Sequence, residues 1–292
     1  MGRPIPKLTD RLPLGAKHLS VSPFCLARVG SPAVISAAYD AGINFFFLSA
    51  DMHWPLYEAT RCGIADLLKR NRSIRDDIVV GVVSYMTQPE FCAMPFQETL
   101  DSVPGLERLD LAIAGGAYSG EILTRFPIYD GYRRSGRFGT KAIGVTFHDR
   151  VAASVASRYE LLDIAFIRYN PQHPGARKDL FPLLSEDSPT LLFNFTSTGG
   201  YLDPSKYKAL GLSRKNWIPK ATDYYRFALS RPEIDGILGA FGSPSYVADL
   251  VKAMDDGPLT DDEQEYLIGL SKLGRTAEGA HPQKAKPEEP GG

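Results

Sequence analysis

Gly42-Ile43-Asn44-Phe45-Phe46-Phe47-Leu48-Ser49-Ala50-Asp51-Met52-His53-Trp54 is a mostly apolar run that ends on an acid and an imidazole. Residues 43–49 have the composition of a strand covered on both faces, and the polar residues follow it, where a strand hands over to a turn. Similar runs recur at 20–26, 78–84, 109–114, 142–146, 164–169, 190–195 and 237–240. Segment 20–26 reads either as a short strand or as a hairpin arm. Amphipathic stretches at 55–71, 151–159, 224–230 and 244–254 fall between the runs and predict helices. Strand and helix in alternation imply parallel βαβ units. About eight such units in 292 residues favour a closed (β/α)8 TIM barrel over an open doubly wound sheet. No G-x-G-x-x-G follows an early strand, so a Rossmann-type dinucleotide site is unsupported.

The composition adds limits. Apolar residues make up 43% of the chain and charged residues 23%, the balance of a globular protein. The net charge of −1 gives no electrostatic case for nucleic acid or an anionic membrane as partner. No apolar run is long enough to span a bilayer, and the N-terminus has no signal-like apolar segment. Cys25, Cys62 and Cys92 are odd in number and scattered, which fits a reducing, cytoplasmic setting. Residues 1–275 read as one barrel domain. Residues 276–292, rich in Pro, Lys, Glu and Gly, read as a disordered tail.

Several motifs fall in a recognisable order. Gly42 to His53 resembles GINFFDTADMYG with one extra residue in the Phe run. Ile143-Gly144-Val145-Thr146-Phe147-His148 resembles IGVSNH, and Arg168-Tyr169-Asn170-Pro171-Gln172-His173 resembles EYNPLH. Gly199-Gly200-Tyr201-Leu202 resembles GGLL, and Ala228-Leu229-Ser230-Arg231-Pro232 with Ile237-Leu238-Gly239 resembles LSRPGV followed by VIPG. Over residues 11–255 the chain resembles the aldo-keto reductase family. The resemblance implies an eight-stranded barrel with its site at the C-terminal mouth, and NADPH bound without a Rossmann motif.

The resemblance also implies an Asp, Tyr, Lys, His tetrad, and none of the four is kept. The Asp aligns with Leu48, the Tyr with His53, the Lys with Val83 and the His with Gly115. A buried Lys without its Asp would be an uncompensated charge, so the joint loss of the two is mutually consistent. The groups that hold the nicotinamide amide align with Thr146, Phe147 and Phe166. No basic residue follows the last strand, at Ala240 to Ser243. No cofactor is therefore expected, with NADPH as the alternative, and no metal.

His53, His148 and His173 fall at predicted strand ends, where acid/base groups of a barrel belong. His53 stands as the first general acid/base candidate, Asp51 as the group that orients it, and His148 as a second catalytic candidate. Arg28, Tyr85 and Arg168 are placed to hold an anionic or carbonyl group. Trp54, His173 and Asn194 complete the expected substrate site. Cys25 reads as a small apolar filler. A zinc site built from the three histidines is disfavoured, because their strands are not all neighbours.

The leading reading is a non-redox small-molecule enzyme on a reductase scaffold: a lyase, dehydratase, isomerase or cyclase working by proton transfer. The alternatives are an atypical NADPH-dependent carbonyl oxidoreductase and a non-catalytic subunit or sensor. The expected partner is a small-molecule substrate, and the expected state a monomer or homodimer, with room for a partner subunit.

Overall fold

The computed structural model describes residues 4–16, 19–116, 119–157, 162–185, 188–212 and 216–279. Eight strands close into a parallel barrel. They are β3 (Phe24–Val29), β4 (Phe45–Ser49), β5 (Val79–Ser84), β6 (Leu111–Ala114), β7 (Ala142–Phe147), β8 (Ile164–Arg168), β9 (Leu191–Phe195) and β10 (Gly236–Phe241). Each pairs with its neighbours in sequence, and β10 closes on β3. A separate antiparallel hairpin, β1 (Leu12–Leu14) and β2 (Leu19–Val21), precedes them. The expected strand at 20–26 is thus divided: its start is a hairpin arm, and the first barrel strand begins at Phe24.

Side chains alternate between two buried layers, as the pleat requires. Cys25, Phe45, Phe47, Val83, Phe166 and Phe193 belong to the barrel interior, and Leu14, Leu19 and Val21 of the hairpin join them. Phe46, Leu48, Phe147 and Ile167 belong to the outer layer beneath the helices. Small residues make room for the large rings. A Cβ on Gly144 would lie 2.9 Å from Ile164, and one on Gly81 3.0 Å from Ile113.

The N-terminal ends of the strands are pinned by acids, two of them buried and one half-buried. Asp110 accepts from the Val80 amide at 2.9 Å, Asp163 from Ile143 at 2.7 Å and Asp235 from Leu192 at 2.8 Å. Each acid stands just before a strand and ties it to the strand before. Arg75 donates to Asp110 at 2.8 Å, so that charge is paired in the interior.

The helices follow the predicted segments with small shifts. Segment 55–71 is a 3-10 turn, Trp54–Tyr57, followed by the helix Glu58–Arg70. Those predicted at 151–159, 224–230 and 244–254 are Arg150–Ala156, Ala221–Leu229 and Pro244–Asp255. The C-terminal helix Asp261–Gly279 runs past residue 275, so the predicted tail begins as helix. The rest of that tail, 280–292, lies outside the described residues. No described helix is long and apolar enough to cross a membrane.

Candidate functional site

A cavity of about 530 Å³ opens at the C-terminal ends of the strands. Arg28 of β3, Phe47 of β4, Tyr57, Tyr85, Thr146 and His148 form one side. The loop Thr196–Gly199 after β9, with Tyr225 and Leu238, forms the other. This is the end of a barrel where strand tips and loops converge on a ligand.

The register of β4 decides which residue reaches the cavity. Leu48 faces outward with no exposure, while Phe47 faces inward and lines the mouth. Leu48, which the resemblance aligns with the family's Asp, is therefore helix-facing core, and Phe47 is the β4 residue that reaches the mouth. Val83 does face inward, and it is buried.

Tyr57 and Tyr85 supply phenols on one side of the mouth, and Tyr225 stands on the other. The Tyr57 ring lies 6.4 Å from Phe47. Burial pushes its pKa well up, the neighbouring Tyr85 adds to the rise, and Arg28 opposes it. Burial raises Tyr85 too, and Asp51 adds to it. Both phenols stay protonated near neutral pH and can only donate or accept neutral hydrogen bonds.

Asp51 is committed to backbone and hydroxyl donors. It accepts from the Ser84 hydroxyl and the Tyr85 amide, each at 2.8 Å, and from the Met52 amide at 2.7 Å. Among the described contacts none joins it to His53, so the expected pair is not formed. His53 instead sets its ring edge-on to Tyr85 with centroids 5.2 Å apart, outside the residues that line the cavity. Trp54 is turned away as well: Arg61 stacks on its ring at 3.7 Å and donates to its carbonyl at 2.7 Å.

His148 does line the cavity, edge-on to Phe195 at 5.4 Å. Burial and then the charge of Arg168 lower its pKa, so its imidazole is neutral near pH 7. His173 lies one loop further out, and its Nδ1 is 3.2 Å from Asn170 Oδ1. Asn194 is fully buried, accepting from the Tyr169 amide and donating to Ser197, each at 2.8 Å. It joins strand to loop and does not reach the cavity. The expected set is thus divided: Arg28, Tyr85 and His148 meet at the cavity, while Asp51, His53, Trp54, Arg168, His173 and Asn194 surround it. Among the described residues no cluster suits a metal ion.

Two features were not legible in the sequence. Thr196 has a φ of +55°, uncommon for a β-branched residue, and its carbonyl accepts from Asn170 Nδ2 at 2.8 Å. Arg125 has no exposure and donates to the carbonyls of Ser84 at 3.2 Å and Gly115 at 3.0 Å, tying the tips of β5 and β6 together. Nothing local in the sequence singles out the Tyr57 hydroxyl either.

No family model and no curated protein matches the chain. Solved structures do. An aldo-keto reductase from Bacillus halodurans in its holo form superposes with a TM-score of 0.68 at 14% identity, over 91% of this chain and 97% of that one. The fold is that of the aldo-keto reductases. A Bombyx mori aldo-keto reductase in complex with NADP gives 0.66 at 15% identity, over 90% and 92% of the two chains. A thermostable aldo-keto reductase bound to the inhibitor epalrestat gives 0.65 at 15%, over 89% and 99%. On this barrel the inward positions at the tips of β4, β5 and β8 carry Phe47, Val83 and Arg168. The bare Gly115 lies against the Tyr85 ring.

Proposed function

We propose that the mouth is a cofactor-independent acid/base site for a small carbonyl compound, working by proton transfer as a lyase, dehydratase, isomerase or cyclase does. The observation that carries this is the meeting of a neutral imidazole with two protonated phenols and a guanidinium around one cavity. His148 removes a proton from the carbon beside the carbonyl. The charge that develops on the carbonyl oxygen is met by Tyr57 and Tyr85, which donate without giving up their protons, and by Arg28. Donors fixed in this way before reaction lower the barrel's cost of forming an enolate. His53 acts indirectly, by holding the Tyr85 ring.

The nicotinamide of NADPH does not fit the residues present. The resemblance assigns its amide to Thr146, Phe147 and Phe166. Phe147 faces the helix layer and Phe166 is an apolar ring of the interior. A carboxamide placed there would leave polar atoms unpaired, at about 1–3 kcal/mol each. The Thr146 hydroxyl already accepts from the Gly116 amide at 2.8 Å.

Exchange of α-protons of simple ketones and 2-oxo acids into deuterated water, followed by proton NMR, tests the reading. Exchange above the buffer rate that disappears in His148→Ala supports it. Equal exchange by the variant removes His148 from the role.

A second reading, an atypical NADPH-dependent carbonyl oxidoreductase, is favoured by the Bombyx mori enzyme that binds NADP on the same fold. A phenol beside a cation, Tyr57 beside Arg28, would then serve as the proton donor.

A further inference from the structure

Arg168 closes β8 at an inward-facing position, two residues beyond Phe166. Its backbone is in register with Phe195, and His148 comes from the opposite neighbour, β7. The rings of His148 and Phe195 meet across it at 5.4 Å. Among the described residues no carboxylate stands within ion-pair distance of Arg168, although Arg150, Arg177 and Arg226 nearby each have one. Its Nε is buried and has no hydrogen-bond partner. A guanidinium is always charged, and a partly buried one with no counter-charge is costly to keep. Orphaned buried donors in native proteins usually have a missing partner.

His173 faces the same charge. Asn170 Nδ2 donates to the Thr196 carbonyl, which makes its Oδ1 the acceptor for the His173 ring. Nδ1 of His173 therefore carries the proton, and Nε2 is left as an acceptor, for a donor on a bound molecule. Arg168 lowers the pKa of both His148 and His173, so it sits close to each of them.

We propose that Arg168 is the centre of an oxyanion subsite beside the cavity, so that the substrate is an organic anion held there by its carboxylate or phosphate group, with the lone pair of His173 Nε2 open to a hydroxyl of the same molecule. The proposal rests on the reading of the mouth as a carbonyl site and deepens it. The fixed charge of the substrate lies at Arg168, the proton to be moved lies next to His148, and the reacting oxygen lies across the mouth at Tyr57 and Arg28. β3 and β8 stand three strands apart around the barrel, so the two guanidinium positions face different ends of one small molecule. A guanidinium fork matches either a carboxylate or a phosphate, and the probes distinguish the two.

The test is calorimetric titration of the full chain with inorganic phosphate and with acetate, on the wild type, Arg168→Met and Arg168→Lys. Saturable binding of one anion, weakened about tenfold or more by Arg168→Met and partly kept by Arg168→Lys, is the expected result. Tighter phosphate identifies a phosphate group, tighter acetate a carboxylate. The melting temperature without added anion should not fall in Arg168→Met, because an unpaired charge has been removed. Unchanged affinity in Arg168→Met, no binding of either anion at millimolar concentration, or a clear fall in its melting temperature would overturn the proposal. The proton-exchange assay separates the two claims. Loss of exchange with anion binding intact sinks the carbonyl reading alone. Exchange of acetone and pyruvate that is equally insensitive to Arg168→Met sinks the subsite alone.

Discussion

The ring of Tyr85 occupies the space that a side chain on Gly115 would need. A Cβ built on Gly115 falls 2.8 Å from two Tyr85 ring carbons, closer than such atoms approach. The Tyr85 backbone is held in turn by Asp51 at 2.8 Å. At Gly115, which the resemblance aligns with the family's His, the segment after β5 thus fills the volume a side chain would need.

Gly115→Ala should therefore push Tyr85 out of place. Overpacking of this kind costs about 1–3 kcal/mol. Thermal unfolding should show the loss. In a Tyr85→Ala background Gly115→Ala should cost little further, because the clash is between these two groups. Additive losses would mean that Tyr85 is not the obstacle.

Tyr57→Phe removes one donor to the developing oxyanion and keeps the ring against Phe47. Proton exchange should fall by about 10²–10³-fold, as when one oxyanion donor is lost elsewhere. The melting temperature should change little. A variant as fast as the wild type would take Tyr57 out of the mechanism.

Proton abstraction should depend on pH in one direction through His148. Burial and Arg168 lower its pKa below 6.5, so the neutral base is already formed at neutral pH. Exchange should be flat near pH 7 and fall only as pH drops below about 6.5 toward the lowered value. The stability linkage has the same sign. A histidine depressed in the folded state contributes stability above its unfolded pKa, and loses it as pH falls through the folded one. His173 is lowered as well, by burial and then by Arg168, and should act in the same window. A rate that rises as pH falls below 6.5 would contradict the base assignment.

Arg125→Met should strip the buried Gly115 carbonyl of this donor, while the Ser84 carbonyl keeps the Gly115 amide at 2.8 Å. An orphaned buried group costs about 1–3 kcal/mol. Denaturant unfolding should register the loss, and the tips of β5 and β6 should gain hydrogen-exchange rate. A change confined to activity would show that the bridge is not structural.

The barrel was legible because its strands are apolar on both faces and alternate with helices, a pattern with few solutions. The same property hid the register. In Phe45-Phe46-Phe47-Leu48 both faces are apolar, so no polar alternation marks which residue points inward. Matching the family motif singles out Leu48, and the pleat turns Phe47, not Leu48, toward the mouth. Arg28, Tyr85 and His148 were readable from their places at strand ends. The pairing of Asp51 with His53 was not, because a two-residue spacing in a turn says nothing about where each side chain finds its partner. Asp51 finds Ser84, and His53 finds Tyr85. Tyr57, Thr196 and Arg125 depend on contacts between distant segments, which local pattern does not carry.

The proton transfer proposed for the mouth needs no nicotinamide. Titration of the purified protein with NADPH and NADP⁺, by calorimetry and cofactor fluorescence, tests it most directly. No binding at millimolar cofactor is the predicted result. A micromolar or tighter dissociation constant would contradict it, and would make carbonyl reduction with Tyr57 as proton donor the leading reading.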